Sequence, residues 1–229
     1  MRGSDLRNGR KYKGWTQQVA AAKLRVSQPY LALMENGDRR VPGKLARRAA
    51  HLYGLSLSVL PVETDWSEPP QCEGKDVAAC LAGLGYPGLA YLRPAKKKNP
   101  AEVLFAALNC DELESRLTEA LPWVVLEYPD LDWNWLVTAA KTHNLQNRLG
   151  FVTSVSRRLA EQRGNQSVAT SLGQHEAVLE RARLVHEDTL CHGSLSEAER
   201  RWVRDNRPAE ARHWNLLTDL SPEHLSYAA

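Results

Sequence analysis

Apolar residues recur at intervals of three and four over most of the chain beyond residue 74, which is the period of a helix with one buried face. The clearest example is a single apolar stripe formed by Leu145, Leu149, Val152, Val155 and Leu159. This period predicts helices over residues 75–84, 100–109, 111–121, 133–163 with a break, 172–190, 196–206 and 208–217. No segment shows the strict alternation of a β-hairpin, so the pattern predicts an all-α protein.

Two of these helices carry sequence signals for their first residues. Asn99 before Pro100 is typical of a cap followed by a first-turn proline, and Ser196 with Glu199 three residues later is a capping box. Three consecutive lysines, residues 96–98, precede Asn99 in a predicted loop. They fit either a solvated loop or a second phosphate contact, and we favour the solvated loop.

Residues 16–42 contain the signals of two short helices joined by a tight turn. Thr16 can cap a helix that ends near Leu24, and Ser27 can cap a second helix that ends near Asn36. Gly37 follows directly, where a left-handed residue is needed. Small apolar faces can pack the two helices together, and they consist of Ala20, Leu24, Val26, Leu31 and Met34. This spacing is typical of a helix-turn-helix.

The same segment resembles the lambda-repressor/Cro family of regulators, also called XRE-type. The resemblance lies in Thr16-Gln17, in Val26-Ser27, in Leu31 and Met34, and in Glu35-Asn36-Gly37. It extends over residues 6–60 and implies a five-helix DNA-binding domain at residues 1–60. A fourth helix over residues 44–53 and a short fifth helix after residue 56 belong to this expectation.

Two residues depart from the family pattern. Arg25 stands where the family usually has glycine in the turn, and a left-handed backbone there would cost about 1 kcal/mol. Pro29 stands in the first turn of the second helix, where proline is tolerated. It also replaces a side chain that family members often use to contact bases.

The resemblance implies DNA-contacting roles for eight residues. The base contacts would come from Gln28, Pro29, Tyr30 and Leu33, and the phosphate contacts from Gln17, Asn36, Arg39 and Arg40. Gln28 suits a bidentate contact with adenine, whereas Leu33 or Pro29 suits a thymine methyl group. Tyr30 fits packing as well as base reading.

Charge is divided unequally along the chain. Residues 1–62 hold 12 Lys and Arg against three acids, a net charge of +9, while the remainder holds 18 basic and 24 acidic residues, a net charge of −6. A basic head suits a polyanion, because each cation set against a phosphate releases counterions. Between the two parts, residues 61–73 contain Pro61, Pro69 and Pro70 and predict a linker, followed by a helical domain over residues 74–229.

Several function classes lack their sequence signature. We find no GxGxxG, Walker, GxSxG or HExxH motif, so we expect no catalysis and no cofactor. The polar cluster His186, Glu187, Asp188, Cys191 and His192 lacks recognised zinc spacing, so we expect no metal. The four cysteines are scattered and are expected to pack as free thiols in a reducing compartment. Without a signal peptide or membrane span, we expect a cytoplasmic protein.

Taken together, these features predict a sequence-specific transcriptional regulator, a repressor that binds an inverted-repeat operator in double-stranded DNA as a homodimer. The helical domain has two candidate roles. It could bind a partner protein such as a toxin, as in antitoxin-type autorepressors, or it could sense a small molecule. Trp123, Trp133 and Trp135 crowd one region of this domain, where they fit a core, a partner anchor or a pocket lining. The acidic surface favours the partner protein.

Overall fold

The computed structural model describes residues 1–62 and 73–225, which fall into two compact units. The N-terminal unit contains residues 1–62 together with residues 97–99, and the C-terminal unit contains residues 73–96 and 100–225. Residues 63–72, most of the predicted linker over residues 61–73, lie outside the described residues. The domain boundaries drawn from the sequence therefore stay a prediction. Residues 97–99 were not expected in the N-terminal unit.

The N-terminal unit consists of four α-helices and one short 3-10 helix. The helices are α1 (Gly3–Tyr12), α2 (Gln17–Leu24), α3 (Gln28–Asn36) and α4 (Gly43–Tyr53), and the 3-10 helix is Leu57–Val59. The predicted five-helix domain is confirmed, with a single 3-10 turn as its fifth element. Its core residues include Leu6, Leu24, Leu31, Met34 and Ala46, all fully buried.

Two glycines allow α1 to lie close to its neighbours. A Cβ atom on Gly9 would lie 2.7 Å from the Tyr53 ring, and one on Gly3 would lie 2.1 Å from the Met34 carbonyl oxygen. Real Cβ atoms do not make contacts this short, so a larger residue at either position would push α1 away from α4 or α3. Helix α1 is thereby held against α3, the second helix of the helix-turn-helix.

The described part of the C-terminal unit is also helical. Its helices are α5 (Gly74–Leu84), α6 (Pro100–Leu108), α7 (Ser115–Glu127), α8 (Trp133–Thr142), α9 (Gln146–Gln162), α10 (Gln166–Glu180), α11 (Glu197–Asn206) and α12 (Ala209–His213), with 3-10 helices at Pro87–Leu89 and Pro222–His224. Two short strands, β1 (Asp188–Thr189) and β2 (Leu216–Leu217), pair in parallel. The prediction of an all-α fold is confirmed.

Helix α9 forms the centre of this unit. It packs against α7, α8, α10 and α12, and most of its residues are buried. The predicted apolar stripe is confirmed as core, because Leu149, Val152, Val155 and Leu159 are fully buried. At Gly150 the fully buried Trp214 lies so close that an added Cβ would be 2.3 Å from its ring.

The prediction of a helix over residues 172–190 is wrong at both ends. Asn165 caps α10 from outside the predicted range, since its Oδ1 accepts a hydrogen bond from the Val168 N–H at 3.3 Å. The helix ends at Glu180, and further on the side chain of Asn147 binds both backbone groups of Leu184, at 2.8 and 2.9 Å. These two bonds satisfy the backbone N–H and C=O of Leu184, which therefore needs no helical hydrogen bonds.

Two other helix predictions differ from the structure. The helix predicted over residues 208–217 is confined to α12 (Ala209–His213), because Asn215 adopts a left-handed conformation and Leu216 enters β2. The helix predicted over residues 111–121 begins four residues later, because the Leu113 N–H donates to the Cys191 carbonyl at 2.9 Å. In both places a contact distant in sequence decides the local conformation.

The cysteines only partly match the sequence-based expectation. Cys80 and Cys191 form no disulfide, and burial raises the pKa of Cys191 to about 12. Cys110 is disulfide-bonded, so the expectation of a free thiol is wrong at this position. Cys72 lies outside the described residues.

Candidate nucleic-acid interface

Local hydrogen bonds cap the first turns of α2 and α3, and Arg25 shapes the turn between the two helices. The Thr16 hydroxyl accepts from the Val19 N–H at 3.2 Å, and the Ser27 hydroxyl accepts from the Tyr30 N–H at 3.3 Å, which caps both helices as predicted. Arg25 has φ 55° and ψ 49°, so this non-glycine residue does adopt the left-handed conformation. The turn therefore keeps its geometry at the expense of backbone strain in Arg25.

A buried carboxylate connects α3 to α1. The Glu35 side chain is inaccessible to solvent and receives two hydrogen bonds from the Arg10 guanidinium, at 2.6 and 2.8 Å. Burial by itself would raise the pKa of Glu35, but the bonds from Arg10 and Gln17 hold this pKa below its ordinary value. Arg10 also donates to the Trp15 carbonyl at 2.9 Å. This network fixes the orientation of α3 on the unit.

Gln17 extends the network to the exposed end of α3. Its Nε2 donates to Glu35 at 3.1 Å, and its Oε1 accepts from the Gln28 side-chain amide at 3.0 Å. Gln17 is half-buried and Gln28 is exposed. An amide offers two donor hydrogens and two acceptor sites, so a glutamine held by one bond keeps hydrogen-bonding capacity for a base edge.

The structure brings the predicted base-contacting residues to one end and one side of α3. Gln28 and Pro29 are exposed in the first turn, and Leu33 is 40% exposed. Tyr30 is half-buried, with the Arg39 guanidinium carbon 5.7 Å from its ring centre. Tyr30 thus combines packing with a cation–π contact, and its contact with DNA stays a prediction.

The predicted phosphate-contacting residues lie around the same helix. Asn36, Arg39 and Arg40 are exposed at or just beyond the end of α3, whereas Gln17 lies beside its start. The Asn36 side chain accepts a hydrogen bond from Arg7, a residue that the sequence analysis did not single out. Arg7 also reaches within 4.0 Å of Glu35.

Arg7, Arg10 and Glu35 were missed as a group, although one signal for them exists. Glu35 follows Leu31 and Met34 at spacings of four and one, which places it on the buried side of α3. A buried carboxylate requires a cation, and α1 carries two arginines one turn apart. The sequence could therefore have suggested the partnership but not its geometry.

The polar cluster near residue 188 is held by arginines. Asp188 forms two hydrogen bonds with Arg148, at 2.7 and 3.0 Å, and Glu187 binds Arg204 and Arg207. Within residues 1–62 and 73–225, no three His, Cys, Asp or Glu side chains converge as metal ligands would. Among those same residues, no helix is long and apolar enough to cross a membrane.

A protein-family model described as a helix-turn-helix domain matches residues 3–61, about a quarter of the chain. Comparison with curated proteins and with solved structures found no significant match. The matched residues coincide with α1–α4 and the 3-10 helix, and they include the capped turn and the exposed end of α3. Residues 3–61 of this chain are therefore a helix-turn-helix domain, the domain type with which many transcriptional regulators bind DNA.

Proposed function

We propose that this protein is a sequence-specific transcriptional repressor that reads an operator with the first turn of α3. The observation that carries this proposal is the hydrogen-bonded pair Gln17–Gln28. Gln17 binds the buried Glu35 on one side and the exposed side-chain amide of Gln28 on the other, and so holds that amide in place. Such an amide can bind the N6 and N7 edge of adenine in the major groove. The protein acts by binding and not by catalysis.

The charge of the N-terminal region supports a DNA partner. Residues 1–62 carry a net charge of +9, and two of their three acids are engaged within the unit. Glu35 is neutralised by Arg10, and Asp5 accepts a hydrogen bond from the Arg2 N–H at 2.7 Å. The exposed surface is therefore dominated by cations, which favours association with a polyanion.

The operator geometry follows from the domain type. We propose a homodimer that places two copies of α3 in successive major grooves of an inverted repeat, with half-sites about 34 Å apart. Bound to a promoter, the dimer would repress by excluding polymerase. Sedimentation of the full chain with and without its operator would measure the stoichiometry, and one chain per two half-sites would contradict the dimer.

For the C-terminal unit we propose binding of a partner protein, as in an antitoxin-type autorepressor. Large apolar side chains stand exposed on this unit, notably Trp202 at 59% and Val185 at 93%. Exposed aromatic residues frequently anchor protein partners. By contrast, Trp123 and Trp133 belong to the core and Trp135 is half-buried, so this cluster supports neither candidate role.

The second candidate role is small-molecule sensing, and one cavity favours it. The described lining of a cavity of about 210 Å³ in the C-terminal unit is five apolar residues and five polar ones, namely Ser115, Thr118, His192, Thr218 and Asp219. Ligand sites combine an apolar lining with a few polar groups in this manner, although they are usually larger, about 300–1,000 Å³. The protein product of a neighbouring toxin-like gene would bind the full chain under the first role and not under the second.

The base-reading role of Gln28 can be tested with operators selected from random duplex DNA. Gln28→Ala should lose discrimination at one base pair per half-site, by about 1–3 kcal/mol, because that position loses its hydrogen-bonded contact. Gln174→Ala, the same change at an exposed position of α10, is the control and should bind as the wild type does. Unchanged base preference in Gln28→Ala would contradict the assignment.

Arg40→Ala tests the phosphate contacts. It should weaken binding to all sequences and reduce the slope of log affinity against log salt by about 1. Arg181→Ala, the same change at an exposed position just beyond α10, should leave the slope unchanged. An equal slope in the two variants would show that Arg40 does not contact phosphate.

A further inference from the structure

Residues 97–99 are part of the N-terminal unit although they are distant from it in sequence. Asn99 anchors them, since it is only 1% exposed and its side-chain amide donates to the carbonyls of Ser58 and Leu60, at 3.1 and 2.7 Å. Two hydrogen bonds from one buried side chain fix the backbone of this segment. Lys97, two residues before the anchor, is thereby held beside the 3-10 helix.

Lys97 lines a cavity of about 280 Å³ together with residues of α4. Arg47 and His51 line it as well, and they share a face of α4 because they are four residues apart. The remaining lining is apolar or glycine, and among the described residues of this lining none is acidic. Three basic side chains thus surround one small cavity.

Basic side chains around one cavity attract anions, and the surrounding unit adds to this attraction because residues 1–62 carry a net charge of +9. The cavity is slightly smaller than sites for drug-sized ligands, which occupy about 300–1,000 Å³. Its volume and charge suit a phosphate or pyrophosphate group.

We propose that this cavity is a phosphate-binding site, separate from the surface of α3. Lys97 and Arg47 donate charge-assisted hydrogen bonds to phosphate oxygens, and His51 supplies a third donor. None of the eight residues predicted to contact DNA lines the cavity. The phosphate belongs either to a free phosphorylated ligand or to the DNA backbone outside the operator bases, and the chemistry of recognition is the same.

The first experiment measures binding of inorganic pyrophosphate to the full chain by calorimetry at low salt. Lys97→Gln and His51→Gln should each weaken binding, with Lys97→Gln losing about tenfold because a charged donor is removed. Lys98→Gln is the matched control: the residue is adjacent and exposed, carries the same charge and does not line the cavity. Equal losses in Lys97→Gln and Lys98→Gln, or no saturable binding by the wild type, would overturn the proposal.

The second experiment identifies the source of the phosphate. If the source is DNA, Lys97→Gln should reduce the salt slope of duplex binding by about 1, while Lys98→Gln leaves it unchanged. If the source is a free ligand, Lys97→Gln should lose pyrophosphate binding and keep the wild-type slope. Failure of the wild-type chain to bind any duplex would refute the proposed DNA-binding function and leave the pyrophosphate result standing.

Discussion

Removing Arg10 should destabilise the helix-turn-helix domain strongly at neutral pH. Arg10→Met leaves the fully buried Glu35 carboxylate without the guanidinium that binds both of its oxygens. Breaking a buried ion pair at one partner costs about 3–5 kcal/mol, because the other charge stays buried without compensation. A small domain has a total stability of about 5–15 kcal/mol, so the variant would populate unfolded forms measurably.

The cost of Arg10→Met should shrink as the pH is lowered. In the wild type the pKa of Glu35 is held below its ordinary value. The stability that the ionised carboxylate contributes is therefore fully present above the unfolded pKa of about 4.3 and is lost as the pH falls through the folded pKa. Without Arg10 the folded pKa of Glu35 rises, and the carboxyl becomes neutral at a higher pH than in the wild type. The difference in the free energy of unfolding between the wild type and Arg10→Met therefore decreases from pH 7 towards pH 4.

Hydrogen exchange followed by mass spectrometry can measure this difference in the full chain. Peptides from α1 and α3 should exchange faster in Arg10→Met, while peptides from α9, in the other unit, serve as an internal reference. Arg7→Met is the control, since the Arg7 side chain is 40% exposed and its Nε comes no closer to Glu35 than 4.0 Å. Exposed ion pairs of this kind contribute about 0–1 kcal/mol. The double variant Arg10→Met/Glu35→Met should recover most of the loss. A double variant no more stable than Arg10→Met would refute the buried charge as the cause.

Two further predictions concern single backbone positions. Arg25→Gly should raise the melting temperature of the N-terminal unit, because glycine relieves about 1 kcal/mol of left-handed strain. The greater conformational freedom of glycine in the unfolded chain offsets only part of this gain. Arg25→Ala keeps the strain, so an equal rise in both variants would argue against strain as the cause. Gly150→Ala should destabilise the C-terminal unit by about 1–3 kcal/mol, because the new methyl group would meet the Trp214 ring at 2.3 Å. Gly173→Ala, whose nearest contact would be 3.6 Å, should instead be neutral or stabilising in the same denaturant titration.

Local signals in the sequence were enough to predict the helix-turn-helix. The caps Thr16 and Ser27 and the terminating Gly37 act within one helical turn, so the bounds of α2 and α3 follow from them directly. The resemblance to the lambda-repressor/Cro family then predicted that Gln17 and Gln28 contact DNA. The two side chains are hydrogen-bonded to each other, and their contacts with DNA stay predictions.

The pairing of Arg10 with Glu35 and the position of Lys97 were not predicted from the sequence, because both depend on contacts between residues that are distant along the chain. Arg10 and Glu35 are 25 residues apart, and their pairing depends on α1 lying across α3. Lys97 lies in the N-terminal unit two residues before Asn99, which binds carbonyls about 40 residues earlier in the chain. The helical period places Glu35 on the buried side of α3 but does not say which cation it meets, and the hydrogen bonds of Asn99 leave no periodic trace in the sequence.

The sequence by itself determined the helical period, the helix caps, the division of charge and the helix-turn-helix spacing, because these depend on neighbours within one or two turns. The tertiary structure alone decided where α10 ends, which cation neutralises Glu35 and which residues surround the cavity at Lys97. A buried polar group must find a partner wherever the fold supplies one. For Asn147 that partner is Leu184, 37 residues away, and the backbone there follows the hydrogen bond instead of the local helical pattern.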